Sequence, residues 1–229
     1  MLKNILFDLD DTILYFKKCE HVALDTALTS LNIPHNESTL ELYSRINELH
    51  WKKLETGEIT RNQVLLGRFE MLFEQIGADC SGELAWKTYE EMLSRQHFFI
   101  PRAQEMLEYL KDRFDLYIVS NGTASVQDRR IEGANLEKYF KKIFISQRVG
   151  VNKPDVRFFE RCFNEIDNFK KQETIIIGDS LSSDIQGGIN AGITTCWYNP
   201  KGTQAPDDMK IDYIIGDLGN LYGADNILE

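Results

Sequence analysis

Six short apolar stretches have the pattern of buried β-strands. They are rich in β-branched and aromatic residues and show little polar alternation, which indicates burial on both faces. The stretches lie at 4–8, 116–120, 143–146, 174–178, 194–198 and 211–215. Beyond about residue 100, segments with helical spacing of apolar residues separate them. Alternating strands and helices predict an α/β fold with a doubly wound, mainly parallel, Rossmann-like sheet.

One long stretch, from about residue 15 to residue 98, breaks this alternation because it has helical patterns and no convincing strand. The signals are leucines at helical spacing and two capping-box pairs: Leu24, Leu28 and Leu31; Ser38 with Glu41; Thr60 with Gln63. About four helices are expected here, which is too much structure for a loop. We therefore expect a catalytic core of residues 1–14 and 99–229, with an inserted helical-bundle cap of residues 15–98.

Composition restricts the partners. Lys and Arg number 26 against 36 Asp and Glu, a formal charge of −10, which predicts no nucleic-acid partner. A local lysine and a metal could still make the electrostatic potential positive within a cleft of this acidic chain. No apolar run reaches membrane-spanning length, and the sequence carries no signal for oligomeric state. The 4 cysteines lack C-x-x-C spacing and no signal peptide precedes the first strand, so we expect free thiols in the cytoplasm.

Carboxylates crowd the end of the first predicted strand, where Ile5-Leu6-Phe7 leads into Asp8-Leu9-Asp10-Asp11-Thr12. Buried charge needs a partner. Two like charges about 4 Å apart repel by about 4 kcal/mol at an effective dielectric of about 20. The cluster therefore predicts a bound cation, a raised pKa, or both. A solvated acidic turn is the alternative for this segment taken alone.

Three later strand ends carry polar residues of other kinds. Ser120-Asn121-Gly122 follows the second strand, Lys153 follows the third, and Asp179 and Asp184 follow the fourth. A hydroxyl, an amide, backbone N–H groups and an ammonium group can all hold phosphate oxygens. The two acids can face one oxygen-liking cation such as Mg²⁺. Each feature alone also has an ordinary explanation as a turn, an exposed lysine or a charge at a helix start.

Taken in order, these motifs resemble those of the haloacid dehalogenase superfamily of phosphohydrolases. The matching positions are Asp8-x-Asp10-x-Thr12, Ser120, Lys153-Pro154 and Gly178-Asp179-x-x-x-x-Asp184. The resemblance covers the whole chain, and its motif order agrees with the predicted fold. It implies a Mg²⁺-dependent phosphomonoester hydrolase that works through an aspartyl-phosphate intermediate.

The resemblance also implies roles. Asp8 would be the nucleophile, and Asp10 would protonate the leaving oxygen and later deprotonate water, with carboxylate crowding favouring its protonated form. The implied catalytic residues are Asp8, Asp10, Ser120 and Lys153; the implied substrate-binding residues are Ser120, Asn121, Gly122 and Lys153; the implied magnesium ligands are Asp8, Asp10 through its carbonyl oxygen, Asp179 and Asp184. Whether Asp184 binds the metal directly or through water stays open.

Two stretches are similar to the bacterial pyrimidine 5′-nucleotidase group, which removes phosphate from nucleoside monophosphates. One is 51–61, continuing to Arg68 and Phe69, and the other is 187–199. This similarity implies a small phosphomonoester as substrate, specifically a pyrimidine nucleoside 5′-monophosphate. The glycines at 187, 188 and 192 are better explained by tight helix packing and a helix stop than by chemistry.

Several cap residues are candidates for contact with the substrate. The predicted turn at 55–59 could reach the cleft, and Tyr15 and Phe16 could stack on a base, although hinge packing explains these aromatics better. Arg61 and Arg68 are further candidates, for which solvated helix positions are the favoured explanation.

Other functions stay open. A phosphatase of a small sugar phosphate or of phosphoglycolate would have the same motifs, as would a phosphomutase. Carbon–halogen cleavage is disfavoured, because dehalogenases of the superfamily lack the second acid that Asp10 provides here. A non-catalytic binding protein is disfavoured because the motifs are complete.

Overall fold

A computed structural model of the protein describes residues 1–222 and 226–228. In this part of the chain a single sheet has the strand order β3-β2-β1-β4-β5-β6, and every neighbouring pair is parallel. The strands are β1 (Asn4–Phe7), β2 (Asp115–Ser120), β3 (Lys142–Ile145), β4 (Thr174–Gly178), β5 (Thr194–Tyr198) and β6 (Tyr213–Ile215). All the predicted strands are present, and the predicted fold class is confirmed.

The last strand is shorter than the predicted 211–215. Asp212 lies outside it, and it contacts Thr195 of the neighbouring strand through several hydrogen bonds, one of them from its own backbone N–H to the Thr195 hydroxyl at 3.1 Å. Its Oδ2 accepts hydrogen bonds from the backbone N–H of Thr195 at 2.9 Å and from the Thr195 hydroxyl at 3.1 Å. Side-chain hydrogen bonds therefore join β5 to the segment that precedes β6.

The α-helices of the described residues fall into two groups along the chain. The first group is α1 (Phe16–Ser30), α2 (Glu37–Glu55), α3 (Arg61–Ile76) and α4 (Gly82–Leu93). The second group is α5 (Ala103–Leu110), α6 (Ala124–Gly133), α7 (Ser146–Val149), α8 (Val156–Phe163) and α9 (Gln186–Ala191). None of these helices combines the length and the apolar character that crossing a bilayer requires.

Helices of the second group cover both faces of the sheet. Side chains of a strand alternate between its faces, so Ile175 and Ile177 pack in one apolar cluster with Met106 and Leu107 of α5. Ile176, between them, joins the opposite cluster, which includes aromatic residues of α8. This double coverage explains why the strands are continuously apolar.

Tight packing at the start of α9 requires glycine, as predicted. A Cβ atom at Gly188 would lie 2.6 Å from Cγ2 of Ile176 and 2.7 Å from Cγ2 of Thr195. The helix can therefore approach the sheet only without a side chain there. The prediction of free thiols is also confirmed, because Cys19, Cys80, Cys162 and Cys196 form no disulfide.

The first group of helices packs around its own apolar cluster. Tyr43, Phe69 and Tyr89 lie at its centre, with ring centroids 5.0–5.6 Å apart. The predicted capping box of Thr60 with Gln63 is confirmed at the start of α3. The box predicted for Ser38 with Glu41 is wrong. Helix α2 begins earlier, because extended Asn36 accepts a hydrogen bond from the N–H of Thr39 and caps it.

The two connections between the helical bundle and the sheet run side by side. Leu14 and Phe99 form an antiparallel bridge. The N–H of Tyr15 donates to the carbonyl of Phe98 at 2.7 Å, and the N–H of Ile100 to the carbonyl of Ile13 at 2.9 Å. This pairing supports our proposal that the chain divides into a core of 1–14 and 99–229 and a cap of 15–98.

Candidate active site

One cleft lies between the carboxyl ends of the strands and the helical bundle. Its cavity measures about 210 Å³. Every residue that the four core motifs proposed for the site lines it: Asp8, Asp10, Ser120, Asn121, Gly122, Lys153, Asp179 and Asp184. Parallel strands bring their carboxyl ends to one edge of a sheet, which explains how positions so distant in sequence meet. The roles of these residues stay predictions.

Lys153 forms the centre of the cleft floor. Its side chain is 1% exposed, and its Nζ donates to Asp8 Oδ1 and Asp184 Oδ1, both at 2.6 Å, and to the carbonyl of Val119 at 2.7 Å. Burial disfavours its charge, but Asp184 and Asp8 outweigh this effect and raise the pKa of Lys153 above its usual value. The ammonium group is therefore a fixed positive charge against two carboxylates.

Asn121 positions this lysine. Its Oδ1 accepts from the backbone N–H of Lys153 at 2.9 Å, and its Nδ2 donates to the backbone carbonyl of Lys153 at 3.0 Å. Both ends of the amide are therefore engaged with the protein. A phosphate ligand would meet the backbone of Asn121 rather than its side chain.

Three carboxylates could hold a metal ion. Asp8, Asp179 and Asp184 each offer an oxygen, and these atoms lie within 4.8 Å of one another. Burial raises the pKa of Asp8, and the positive charge of Lys153 offsets only part of this rise. Burial, together with Asp8 and Asp184, raises the pKa of Asp179. A divalent cation would relieve this repulsion, and oxygen ligands are those that Mg²⁺ prefers, so the residues fit a magnesium ion.

The carboxylate of Asp184 is already occupied on both sides. Oδ1 accepts from Lys153, and Oδ2 accepts from the backbone N–H of Ser180 at 3.1 Å. By contrast, no described residue donates a hydrogen bond to the Asp179 carboxylate. This difference favours Asp179 as the direct ligand and Asp184 as a ligand through water.

Asp10 has partners that the sequence analysis missed. Oδ1 lies 2.5 Å from Nη1 of Arg130, and Oδ2 accepts from Nε2 of Gln127 at 2.6 Å. The sequence analysis expected carboxylates to crowd around Asp10, but the structure also places the positive charge of Arg130 against it. A signal existed, because Gln127 and Arg130 share the buried face of α6 with Val126 and Ile131. Polar residues at such positions need a partner.

Arg61 and Arg68 do not occupy solvated positions, so that expectation was wrong. From the start of α3, Arg61 donates to the carbonyls of Asn121 and Gly122, at 3.0 and 3.3 Å. It also reaches Ser146 Oγ and Asn152 Oδ1, both at 2.7 Å. The two arginines are seven residues apart, which places them on one face of α3. That face meets the core and the cleft.

Arg68 lies in the roof of the cleft. Only 2% of the residue is exposed, and it lines the cavity. Its Nη1 donates to Asn47 Oδ1 at 2.8 Å, and its guanidinium lies 5.1 Å from the ring centroid of Tyr89. Among the described residues its Nε has no hydrogen-bond partner. The cap therefore presents a fixed cation to the cleft.

Other cap residues meet the core as well. Glu55, in the segment expected to reach the cleft, accepts from the hydroxyl of Ser182 at 2.6 Å. Glu90 accepts from the hydroxyl of Thr123 at 2.8 Å. Phe16 lines the cavity, whereas Tyr15 is 43% exposed and does not.

Comparison with known proteins gives consistent results. The sequence profile of the haloacid dehalogenase-like hydrolases matches residues 5–198. Pyrimidine 5′-nucleotidase PynA of Streptococcus pneumoniae is 38% identical over 232 residues, which cover 99% of this chain and 97% of that protein. Pyrimidine 5′-nucleotidase YjjG of Escherichia coli is 28% identical over 217 residues, or 95% of each. The crystal structure of the HAD-hydrolase YfnB from Bacillus subtilis, bound to magnesium, has a TM-score of 0.93 at 37% identity and 99% coverage of both chains.

Proposed function

The chain belongs to the haloacid dehalogenase-like hydrolases, and we propose that it is a phosphatase of pyrimidine nucleoside 5′-monophosphates. The observation that supports this most is a buried carboxylate, Asp8, fixed by Lys153 beside a second acid, Asp10, in one small cleft. Two relatives that cover nearly the whole chain are named pyrimidine 5′-nucleotidases. The free thiols fit a cytoplasmic enzyme.

The chemistry would begin at Asp8. Because Lys153 holds Oδ1, the other oxygen is left to attack phosphorus in line. The bond between phosphorus and the ester oxygen breaks as the aspartyl-phosphate forms, and Asp10 gives a proton to the departing oxygen. Asp10 then takes a proton from water, whose oxygen attacks the phosphorus. Inorganic phosphate leaves, and the Asp8 carboxylate is restored.

Charge neutralisation would contribute most of the rate gain. Lys153, the hydroxyl of Ser120 and the backbone of residues 121–122 line the cavity where the phosphoryl oxygens would lie. Asp8, Asp179 and the carbonyl of Asp10 would hold Mg²⁺, with Asp184 acting through water. The bound ion would offset the charge of the phosphoryl oxygens.

The roof of the cleft favours a nucleoside as leaving group. Phe16, Trp51 and Leu93 give the cavity apolar and aromatic surface, and Arg68, Glu55 and Glu90 give it charged groups. Because these charged groups include two carboxylates, the roof does not suit a second phosphate group on the substrate.

A phosphate-release assay tests the proposal. The panel would be UMP, dTMP, AMP, phosphoglycolate and glucose 6-phosphate, with Mg²⁺ and with an EDTA control. We expect kcat/KM for UMP or dTMP to exceed that of the other substrates by about 10-fold or more, a difference of about 1.4 kcal/mol. EDTA and the Asp8→Asn variant should abolish turnover. A higher kcat/KM for phosphoglycolate or the hexose phosphate would support the alternative of a small-metabolite phosphatase.

A further inference from the structure

Both carboxylate oxygens of Asp10 are held by one helix of the core. Arg130 Nη1 contacts Oδ1 at 2.5 Å, and Gln127 Nε2 donates to Oδ2 at 2.6 Å. These two residues also contact each other, since Arg130 Nη1 donates to Gln127 Oε1 at 2.8 Å. The carboxylate of Asp10 therefore contacts two side chains that are hydrogen-bonded to each other. Two-point contact fixes the plane of a carboxylate as well as its position.

The pair itself is anchored on two sides. Arg130 is 0% exposed, and its Nε donates to the carbonyl of Gln96, in the second connection to the cap, at 3.0 Å. Gln127 Nε2 also donates to Ser120 Oγ at 2.9 Å. Side chains that are themselves fixed by hydrogen bonds can hold a reacting group within the narrow range of geometries that allow reaction.

The turn after β2 is shaped around Gln127. A Cβ atom at Gly122 would lie 2.4 Å from Gln127 Nε2 and 2.7 Å from its Cδ. Any side chain at position 122 would therefore displace the glutamine. Gly122 makes room for the support of Asp10, in addition to its predicted place beside the phosphate.

We propose that Arg130 and Gln127 are positioning residues for Asp10. They hold its carboxyl so that one oxygen can pass a proton to the ester oxygen of the substrate. Without them, rotation about the side-chain bonds of Asp10 would spread the carboxyl over several orientations, few of them productive. This inference rests on the proposed function, because it assigns the support of that reaction's acid and base.

Leaving-group dependence separates positioning from a structural role. The variants are Arg130→Lys and Gln127→Ala, with Arg129→Ala as control because Arg129 is exposed on the same helix. The measurement is single-turnover release of p-nitrophenol from p-nitrophenyl phosphate and of uridine from UMP. Uridine is the poorer leaving group and needs the proton. We expect Arg130→Lys to slow uridine release by about 100-fold and p-nitrophenol release by less than about 10-fold, with substrate affinity little changed.

A double-mutant cycle provides the second test. If Arg130 acts through Asp10, Arg130→Lys should have little further effect once Asp10 is replaced. The double variant with Asp10→Asn should release uridine less than about 2-fold more slowly than Asp10→Asn alone. Gln127→Ala should show the same leaving-group dependence at about 10-fold loss, and it serves as the test if Arg130→Lys does not fold.

Three results would overturn the inference. Equal loss with both substrates, or full additivity with Asp10→Asn, would assign these residues a merely structural role. Rates equal to those of Arg129→Ala would show that Asp10 does not need them. A wild-type protein that releases phosphate from no substrate would instead refute the proposed function, and the inference with it. The wild-type assay therefore distinguishes the two failures.

Discussion

The Nζ atom of Lys153 lies 2.6 Å from Oδ1 of Asp8 at the buried floor of the cleft. The same nitrogen lies 2.6 Å from Oδ1 of Asp184. One buried cation thus serves two acids, while the third, Asp179, has no ion-pair partner among the described residues. The three acids therefore outnumber the one buried cation. The contribution of Lys153 and the effect of an added metal ion can both be tested.

Replacing Lys153 with Met should destabilise the protein as well as inactivate it. Asp8 and Asp184 would be left buried without their cation, and breaking a buried pair costs about 3–5 kcal/mol. Urea unfolding should show a loss of about that size in the free energy of unfolding. The matched control is Lys201→Met, at an exposed loop position. Wild-type stability in Lys153→Met would contradict the central place of this ion pair.

Mg²⁺ should stabilise the wild-type protein through Asp179. A ligand present at 100 times its Kd adds about 2.7 kcal/mol to the free energy of unfolding. Thermal unfolding with and without Mg²⁺ should show an upward shift that Asp179→Asn abolishes. Asp167→Asn, at an exposed position, should keep the shift. An unchanged shift in Asp179→Asn would place the ion elsewhere.

Arg61 should matter for turnover more than for folding. Its guanidinium joins the first turn of α3 to Asn121, Gly122, Ser146 and Asn152 of the core. Arg61→Ala should lower kcat/KM by about 10-fold, because hydrogen bonds of a charged group contribute about 1.5–3 kcal/mol. Steady-state kinetics would be compared with Arg45→Ala, an exposed change on α2. Equal kcat/KM in the two variants would show that this contact is dispensable.

Glu20 should make the cap less stable at neutral than at acidic pH. It is 4% exposed and accepts from Asn47 Nδ2 at 2.7 Å, and burial raises its pKa. The folded state therefore holds the proton more tightly than the unfolded chain. The stabilisation is complete below about pH 4.3, the usual value for Glu, and is lost as pH rises through the raised pKa.

The variant Glu20→Gln keeps the acceptor and removes the charge. It should unfold at a higher temperature than wild type at pH 7.5, and this gain should vanish near pH 4. Glu41→Gln, an exposed change on α2, should show no such pH dependence. A gain that is the same at both pH values would exclude ionisation of Glu20 as its cause.

Local sequence signals determined the sheet and the core motifs. Continuous apolar runs mark strands that are buried on both faces, and a polar residue after such a run lies at the end of a strand. Hence Asp8, Ser120, Lys153 and Asp179 could all be assigned to one edge of the sheet. Local signals fail where two of them compete. The pair Ser38 and Glu41 looked like a capping box, but Asn36 takes the cap two residues earlier.

The partners of these residues were decided only by the tertiary structure. Asp10 meets Gln127 and Arg130 across 117 and 120 residues of chain. Arg61 meets Asn121 across 60 residues. No periodicity encodes such pairings, because they depend on how the helices pack against the sheet and the cap against the core. The sequence alone thus located the acids that we propose to react, and packing determined which side chains hold them.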